Sequence, residues 1–155
     1  MPEALLDSLS ADERTRGDRF VFIEHRRRHL FARAVLRDVL SRYLTRSAAE
    51  LEFVIGAQGK PRFEHGTEEP DIRFNLSHSE EWAAVAVALG REVGVDIERA
   101  HPRVDVVRVA RRSFTPQESA AVERASPAGR RELFLRLWTV KEALLKGMGS
   151  GLTMP

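Results

Sequence analysis

Apolar residues at helical spacing dominate the first third of the chain. Ser10, followed three residues later by Glu13, forms a capping box, which predicts a helix that begins near Ala11. Farther along, apolar residues recur three and four positions apart while arginines fill the other face, which predicts a second helix. The apolar face of this second helix comprises Leu30, Phe31, Ala34, Val35, Val39, Leu40, Tyr43 and Leu44.

The middle of the chain has the alternation and composition of β-strands. Residues 82–89 are apolar on both faces, as is typical of a central strand, and residues 92–98 alternate cleanly. Gly59-Lys60-Pro61 predicts a rigid turn, and the polar stretch Ser77-His78-Ser79 directly follows the end of a strand. The predicted strands are 51–55, 71–76, 82–89 and 92–98.

The last third of the chain turns helical. Thr115 and Glu118 form a second capping box with Pro116 at the first helical position, and Ser126-Pro127 begins the longest late helix. That helix has a predicted buried stripe of Leu133, Phe134, Leu137, Val140 and Leu144, and predicted terminating glycines at Gly147, Gly149 and Gly151. Because strands come early and helices late, the sequence predicts an α+β fold without repeats or linkers.

Composition narrows the chemistry that is available. The 155 residues include no cysteine, which excludes disulfides and thiolate chemistry. The net charge is +2 and the pI is about 9.5, with the basic charge carried mostly by arginine, which suits an anionic partner. No apolar run is long enough to span a bilayer and the N-terminus lacks a leader pattern, so we expect a cytoplasmic protein without a membrane partner. The chain has three lysines, Lys60, Lys141 and Lys146, at places where a compact ammonium could be required.

An Asp-x-Glu pair in the predicted strand 92–98 is the first candidate site. In a strand, Asp96 and Glu98 share one face with Gly94 and lie about 7 Å apart along the chain. Two such carboxylates can converge on a hard cation such as Mg²⁺. The alternative, ordinary solvated acids on an exposed strand face, stays open for this motif alone.

Three further motifs contain residue types that bind phosphates. Trp138, Glu142 and Lys146 share one face of the last helix, off its apolar stripe, where Glu142 could add a metal ligand or base. Ser77-His78-Ser79 could bind phosphate, and Lys60 and the run Arg26-Arg27-Arg28 supply positive charge. Taken singly, each motif is also compatible with a surface ion pair, a capping turn, an exposed loop or a solvated helix face.

The order of the motifs is more specific than any one of them. Gly59-Lys60-Pro61, 74–79, 94–98 and 138–146 resemble, in this order, the signature motifs of the 4′-phosphopantetheinyl transferases. The resemblance covers the chain from about Leu9 onward. It is to the larger, surfactin-synthetase-activating type, in which two similar α+β halves lie side by side. It implies an N-terminal half at 1–92, the beginning of a second half at 93–155, and a site between them.

The resemblance also implies roles for individual residues. The implied Mg²⁺ ligands are Asp96, Glu98 and Glu142. Glu142 is also the implied base, and Lys146 the residue that holds the pyrophosphate and eases departure of 3′,5′-adenosine diphosphate. The residues implied to bind coenzyme A are Arg28, Lys60, Pro61, Ser77, His78, Lys141 and Lys146. The nucleophile is a serine of the acyl or peptidyl carrier protein, so the chain itself needs none.

The sequence departs from the family pattern at its end. In the family, strands that return after the last helix complete the second half, and this sequence stops where they should begin. We therefore keep a second hypothesis, a non-catalytic module that binds coenzyme A or a carrier protein. A third hypothesis, an arginine-rich nucleic-acid binder, lacks a recognised motif, and we expect no nucleic-acid partner.

Overall fold

The computed structural model describes residues 3–56, 59–63, 70–101 and 104–149. These residues form six α-helices, one 3₁₀ helix (Ala48–Glu50) and four strands in two small antiparallel sheets, which confirms the predicted α+β class. The helices are α1 (Glu3–Leu6), α2 (Ala11–Asp18), α3 (Ile23–Ser41), α4 (Val106–Ser113), α5 (Pro116–Arg124) and α6 (Pro127–Met148). The strands are β1 (Val54–Ile55), β2 (Pro61–Arg62), β3 (Ile72–Ser79) and β4 (Trp82–Leu89).

A first hydrophobic core lies between α3 and the β3–β4 hairpin. Leu36 and Leu40 of α3 pack with Leu51 and Phe74, and all four side chains are buried. Helix α3 begins seven residues before the first predicted apolar position, Leu30, and ends at Ser41, before the last two. Among the arginines that fill the other face of this helix, Arg37 is only 1% exposed.

Glu13 explains why Arg37 can be buried. The predicted capping box of α2 is present, with Ser10 N donating to the Glu13 carboxylate at 3.0 Å. The same carboxylate pairs with Arg33 at 2.7 Å and with Arg37 at 2.6 Å, so each guanidinium has an ion-pair partner inside the protein. Arg37 also donates to the backbone oxygens of Ala48 and Leu51. A local capping residue thus anchors α2 to α3.

The strands differ from the predicted ones in length and pairing. The segment 51–55 contributes only β1, which pairs with β2 after the turn at Gly59, whose φ is +80°. β3 extends through Ser79, so Ser77-His78-Ser79 lies within a strand and not after one. β4 has its predicted bounds but, in the described part of the chain, pairs with β3 alone, so the prediction of a central strand is wrong there.

Residues 92–98 form no regular strand, contrary to prediction. The segment lies beside β3 but exchanges no backbone ladder with it, because polar side chains of β3 bind its amides instead.

Helices α4, α5 and α6 surround a second hydrophobic core. It consists of Val106, Ala110, Val122 and Phe134, with Trp138 packed against it. The capping box at Thr115 and Glu118 and the start of α6 after Ser126 are confirmed. No helix in the described ranges is long and apolar enough to cross a membrane.

The end of α6 corrects the predicted stripe. Phe134 is buried, but Val140 and Leu144 are 54% and 60% exposed, so the stripe is buried only in its first half. Gly147 lies inside the helix, and Gly149, with a φ of +67°, terminates it. Gly151 lies outside the described residues.

Candidate active site

The two faces of β3 have different partners. Phe74 and Leu76 pack into the first core, whereas the intervening Asn75 and Ser77 are also buried but face the segment that carries the Asp-x-Glu pair. Alternation along a strand explains why polar and apolar side chains can both be buried there. Asn75, Ser77 and Ser79 therefore point toward the segment that carries the Asp-x-Glu pair.

Side chains of β3 hold the Asp-x-Glu segment by its backbone. The residue numbers of each donor and acceptor differ by 20, so the segment 95–99 runs parallel to β3. The three bonds are Val95 N to Asn75 Oδ1 (2.8 Å), Ile97 N to Ser77 Oγ (3.4 Å) and Arg99 N to Ser79 Oγ (3.0 Å). Steps of two residues on both sides indicate an extended segment, as the sequence alternation suggested.

A glycine contact brings the same segment against α6. A β-carbon at Gly94 would overlap backbone atoms of Ala143 and Gly147, and one at Gly147 would lie 3.3 Å from Gly94 N. Only glycine allows such a close approach of two backbones. Gly94 therefore serves the packing of the segment against α6.

Asp96 lies where β3 and α6 meet. Its side chain is 3% exposed, and its Oδ1 accepts from Lys146 Nζ at 2.5 Å and from Ser77 Oγ at 2.9 Å. Its other oxygen, Oδ2, is buried and has no hydrogen-bond partner among the described residues. A buried carboxylate oxygen without a donor normally calls for a ligand, an ion or a water.

Glu142 and Glu98 add negative charge near Asp96. Burial raises the pKa of Glu142, the carboxylates of Asp96 and Glu98 raise it further, and Lys146 opposes them. Glu98 accepts from Ser79 Oγ at 3.3 Å. Three acids are thus electrostatically coupled, but within the described ranges no three His, Asp or Glu side chains come close enough together to hold a metal ion. The predicted ligands lie near one another without forming a closed metal site.

The donor chemistry nevertheless fits a hard cation. Carboxylate oxygens are the usual protein ligands of Mg²⁺, which keeps several waters and phosphate oxygens in its shell. The partnerless Oδ2 of Asp96 is an oxygen of this kind. Asp96, Glu98 and Glu142 are the residues that would hold the ion.

Basic groups lie on either side of this cluster. Burial lowers the pKa of His78, and the charges of Lys146 and Arg28 lower it further while Glu98 opposes them. Arg28 pairs with Glu81 at 2.9 Å beside a cleft of about 480 Å³. Arg28 and His78, both predicted to bind coenzyme A, therefore interact electrostatically with each other.

Lys60 and Pro61 line a separate cleft of about 300 Å³, which also contains Phe63, Arg73 and Glu92. Lys60 Nζ donates to Glu92 at 2.8 Å and to the backbone oxygen of Val93 at 3.2 Å. The turn is thereby attached to the beginning of the Asp-x-Glu segment.

Lys141 and Trp138 lie toward the second core. Lys141 Nζ pairs with Glu118 at 2.8 Å and lies 5.7 Å from the centre of the Phe114 ring. Trp138 stacks on Phe134 with ring centres 5.7 Å apart, so its predicted position off the apolar stripe is wrong. The structure groups Lys146, not Lys141, with Asp96.

Asn75 is the residue that motif reasoning missed. It is 5% exposed and binds the Val95 amide, yet it was considered only as part of a family motif. Its place two residues before Ser77, on the same face of one strand, was the available signal.

The structure combines a core of helix and sheet, a helical core, an acidic cluster and flanking cations, and comparison with known sequences identifies the class of protein. The family model "4′-phosphopantetheinyl transferase, N-terminal" matches residues 3–89, and "4′-phosphopantetheinyl transferase superfamily" matches residues 92–155. The chain belongs to the 4′-phosphopantetheinyl transferase superfamily.

Three relatives illustrate the similarity. The 4′-phosphopantetheinyl transferase HetI of Nostoc sp. is 38% identical over 96% of this chain and 62% of its own length. Sfp of Bacillus subtilis is 29% identical over 99% of this chain and 66% of its own length. AcpT of Salmonella typhi is 40% identical over 68% of this chain and 54% of its own length. The chain spans about six tenths of the length of the curated relatives it matches.

Proposed function

We propose that this chain carries the Mg²⁺- and coenzyme A-binding residues of a 4′-phosphopantetheinyl transferase that acts on acyl or peptidyl carrier proteins. The observation that carries the proposal is the Asp96 carboxylate, which is buried against Lys146 and Ser77 and has one oxygen without a partner. Family membership supports coenzyme A as the substrate and a carrier protein as the acceptor. The N-terminal half at 1–92, the second half from 93 and a cytoplasmic, biosynthetic setting belong to the same proposal.

The reaction is a phosphoryl transfer. The carrier serine Oγ forms a bond to the phosphorus that bears the pantetheine arm, the phosphoanhydride bond breaks, and 3′,5′-adenosine diphosphate leaves with the bonding electrons. A bound Mg²⁺ would supply charge neutralisation on the pyrophosphate. Glu142 accepts the serine proton, for which a raised pKa is an advantage because it makes the carboxylate a stronger base.

Basic side chains of the protein would stabilise the negative charge of the leaving group. Lys146 adjoins the acids, and its positive charge would favour departure of the leaving group. His78 and Arg28, which interact electrostatically, would bind phosphate, and Lys60, Pro61 and Lys141 complete the proposed coenzyme A contacts.

Mass spectrometry tests this proposal directly. The protein is incubated with coenzyme A, Mg²⁺ and an apo carrier protein of the fatty-acid or the peptide-synthetase type. We expect the carrier to gain the mass of phosphopantetheine, and to gain nothing when EDTA replaces Mg²⁺. No increment on either carrier would overturn transfer by this chain, and coenzyme A binding without transfer would favour the non-catalytic module.

A further inference from the structure

The hydroxyl group of Ser77 has no hydrogen-bonding capacity left for a phosphate. A serine hydroxyl offers one donor and two acceptor positions. Ser77 uses its proton on Asp96 at 2.9 Å and accepts from Lys146 at 3.0 Å and from the Ile97 amide at 3.4 Å. An ionised phosphate can only accept, so Ser77 could bind one only by releasing Asp96.

Ser79 makes the same pair of contacts two residues later. It accepts from the Arg99 amide at 3.0 Å and donates to Glu98 at 3.3 Å. Each serine therefore binds the backbone of the Asp-x-Glu segment and, with its proton, the carboxylate of the residue just before that amide. This repetition fixes both the register of the segment and the orientation of its two acids.

Asn75 begins the series without touching a carboxylate. Its side-chain oxygen accepts from the Val95 amide at 2.8 Å, one step before Asp96. Because the segment has no backbone ladder with β3, these side chains supply the alignment that a ladder would otherwise give. We call Asn75, Ser77 and Ser79 the polar ladder.

We propose that the polar ladder positions Asp96 and Glu98 for a divalent cation, and that Ser77 is a positioning residue and not a phosphate ligand. Ser77 and Lys146 both engage Oδ1 of Asp96, while the buried Oδ2 has no partner among the described residues. The inference rests on the proposed function for the identity of the cation and of coenzyme A. The alignment of the segment does not depend on either ligand.

Amide hydrogen exchange tests the alignment without any ligand. In Ser77→Ala we expect exchange at Ile97 to accelerate about two- to tenfold, the range that corresponds to one net hydrogen bond. Ser79→Ala should likewise accelerate exchange at the Arg99 amide. In each variant the amide that loses its serine partner should be affected most. Ser77→Thr keeps the hydroxyl and should restore protection at Ile97. Equal acceleration at all three amides, or none, would overturn the ladder.

Titration with coenzyme A tests the role of Ser77. If Ser77 positions Asp96, Ser77→Ala loses the gain in affinity that Mg²⁺ provides but binds coenzyme A in EDTA as the wild type does. If Ser77 binds phosphate, affinity falls equally in Mg²⁺ and in EDTA, and the proposal is wrong. Ser41→Ala is the matched control, because its hydroxyl donates within α3 to the Asp38 oxygen at 2.8 Å.

The two experiments separate this inference from the proposed function. Should the wild-type protein bind no coenzyme A with or without Mg²⁺, the proposed function fails while the exchange pattern still decides the ladder. Should Mg²⁺ strengthen binding equally in wild type and Ser77→Ala, the function stands and the positioning role of Ser77 is excluded.

Discussion

Glu142 carries a negative charge that its surroundings disfavour. Burial and the neighbouring Asp96 and Glu98 raise its pKa, with partial relief from Lys146. The folded state therefore binds the proton more tightly than the unfolded chain, and the protein loses stability as the pH rises from 4.5 through the raised pKa. Such a cost is common where a carboxylate is kept for ligand binding or catalysis.

We predict that Glu142→Gln raises the melting temperature at neutral pH, by an amount that vanishes below pH 4.5. The same variant should weaken the Mg²⁺-dependent part of coenzyme A binding about 10- to 100-fold, as loss of a supporting group at a metal site commonly does. Thermal melts at several pH values and calorimetric titrations measure both effects. Glu132→Gln, an exposed position on the same helix, should change neither. A lower melting temperature of Glu142→Gln at neutral pH would contradict the repulsion between Glu142 and the carboxylates of Asp96 and Glu98.

Glu13 has the opposite electrostatics. Burial opposes ionisation, but Arg33, the Ser10 amide and Arg37 together lower its pKa below the ordinary value of 4.5. This contribution to stability is present above pH 4.5 and is lost as the pH falls through the lowered pKa. The carboxylate is therefore one source of acid lability.

We predict that Glu13→Gln destabilises the protein by about 3–5 kcal/mol, because it leaves the buried Arg37 charge uncompensated. Urea unfolding at pH 7 measures the loss. Asp12→Asn, which breaks an exposed ion pair with Arg16, should cost about 1 kcal/mol or less. Equal losses for the two variants would show that the buried ion pairs of Glu13 stabilise the protein no more than an exposed pair does.

The crossing between the Asp-x-Glu segment and α6 depends on two glycines. Gly94 and Gly147 let the backbones approach, and this contact sets the distance from Asp96 to Lys146. We predict that Gly94→Ala costs about 1–3 kcal/mol, as overpacking of a close contact does, and lowers Mg²⁺-dependent coenzyme A affinity.

Gly129→Ala is the control for that substitution. Its β-carbon would meet only the Ser126 hydroxyl at 3.3 Å in the first turn of α6, so the higher helix propensity should keep stability within about 1 kcal/mol of wild type. Urea unfolding measures both variants. Gly94→Ala with wild-type stability would mean that the crossing is not tightly packed.

The sequence predicted those elements whose signals are local. Both capping boxes and the start of α6 were predicted correctly, because a cap depends on residues three positions apart. The segment 92–98 has the alternation of a strand, but strand assignment needs a partner ladder, which no local pattern can specify. β3 ran past its apolar residues because its polar side chains are buried by another segment.

Pairings across long stretches of sequence could not be predicted from the residues alone. Lys146 binds Asp96, 50 residues away, while Lys141, on the same helix, binds Glu118. Which face of α6 contacts which neighbour depends on how the helix packs. For the same reason Trp138 was wrongly predicted to lie off the apolar stripe. The proposed ligands Asp96, Glu98 and Glu142 came from motif order, and their role stays a prediction.

The candidate site joins elements that pack on the two hydrophobic cores. Ser77 belongs to the strand that packs on the first core, and Lys146 to the helix that packs on the second. Asp96 binds both, so the geometry of the acids depends on the relative position of the cores. Variants that loosen either core should therefore weaken cation binding before they unfold the protein.

Calorimetric titration of coenzyme A into wild type and Asp96→Asn, each in Mg²⁺ and in EDTA, tests the central claim most directly. Asparagine keeps the size of the side chain and an oxygen for Ser77 and Lys146, but removes the charge that a cation requires. We predict that Mg²⁺ strengthens coenzyme A binding to the wild type and no longer does so in Asp96→Asn, while circular dichroism shows both proteins folded. An equal gain from Mg²⁺ in both proteins would contradict the account, because the cation would then be bound without Asp96.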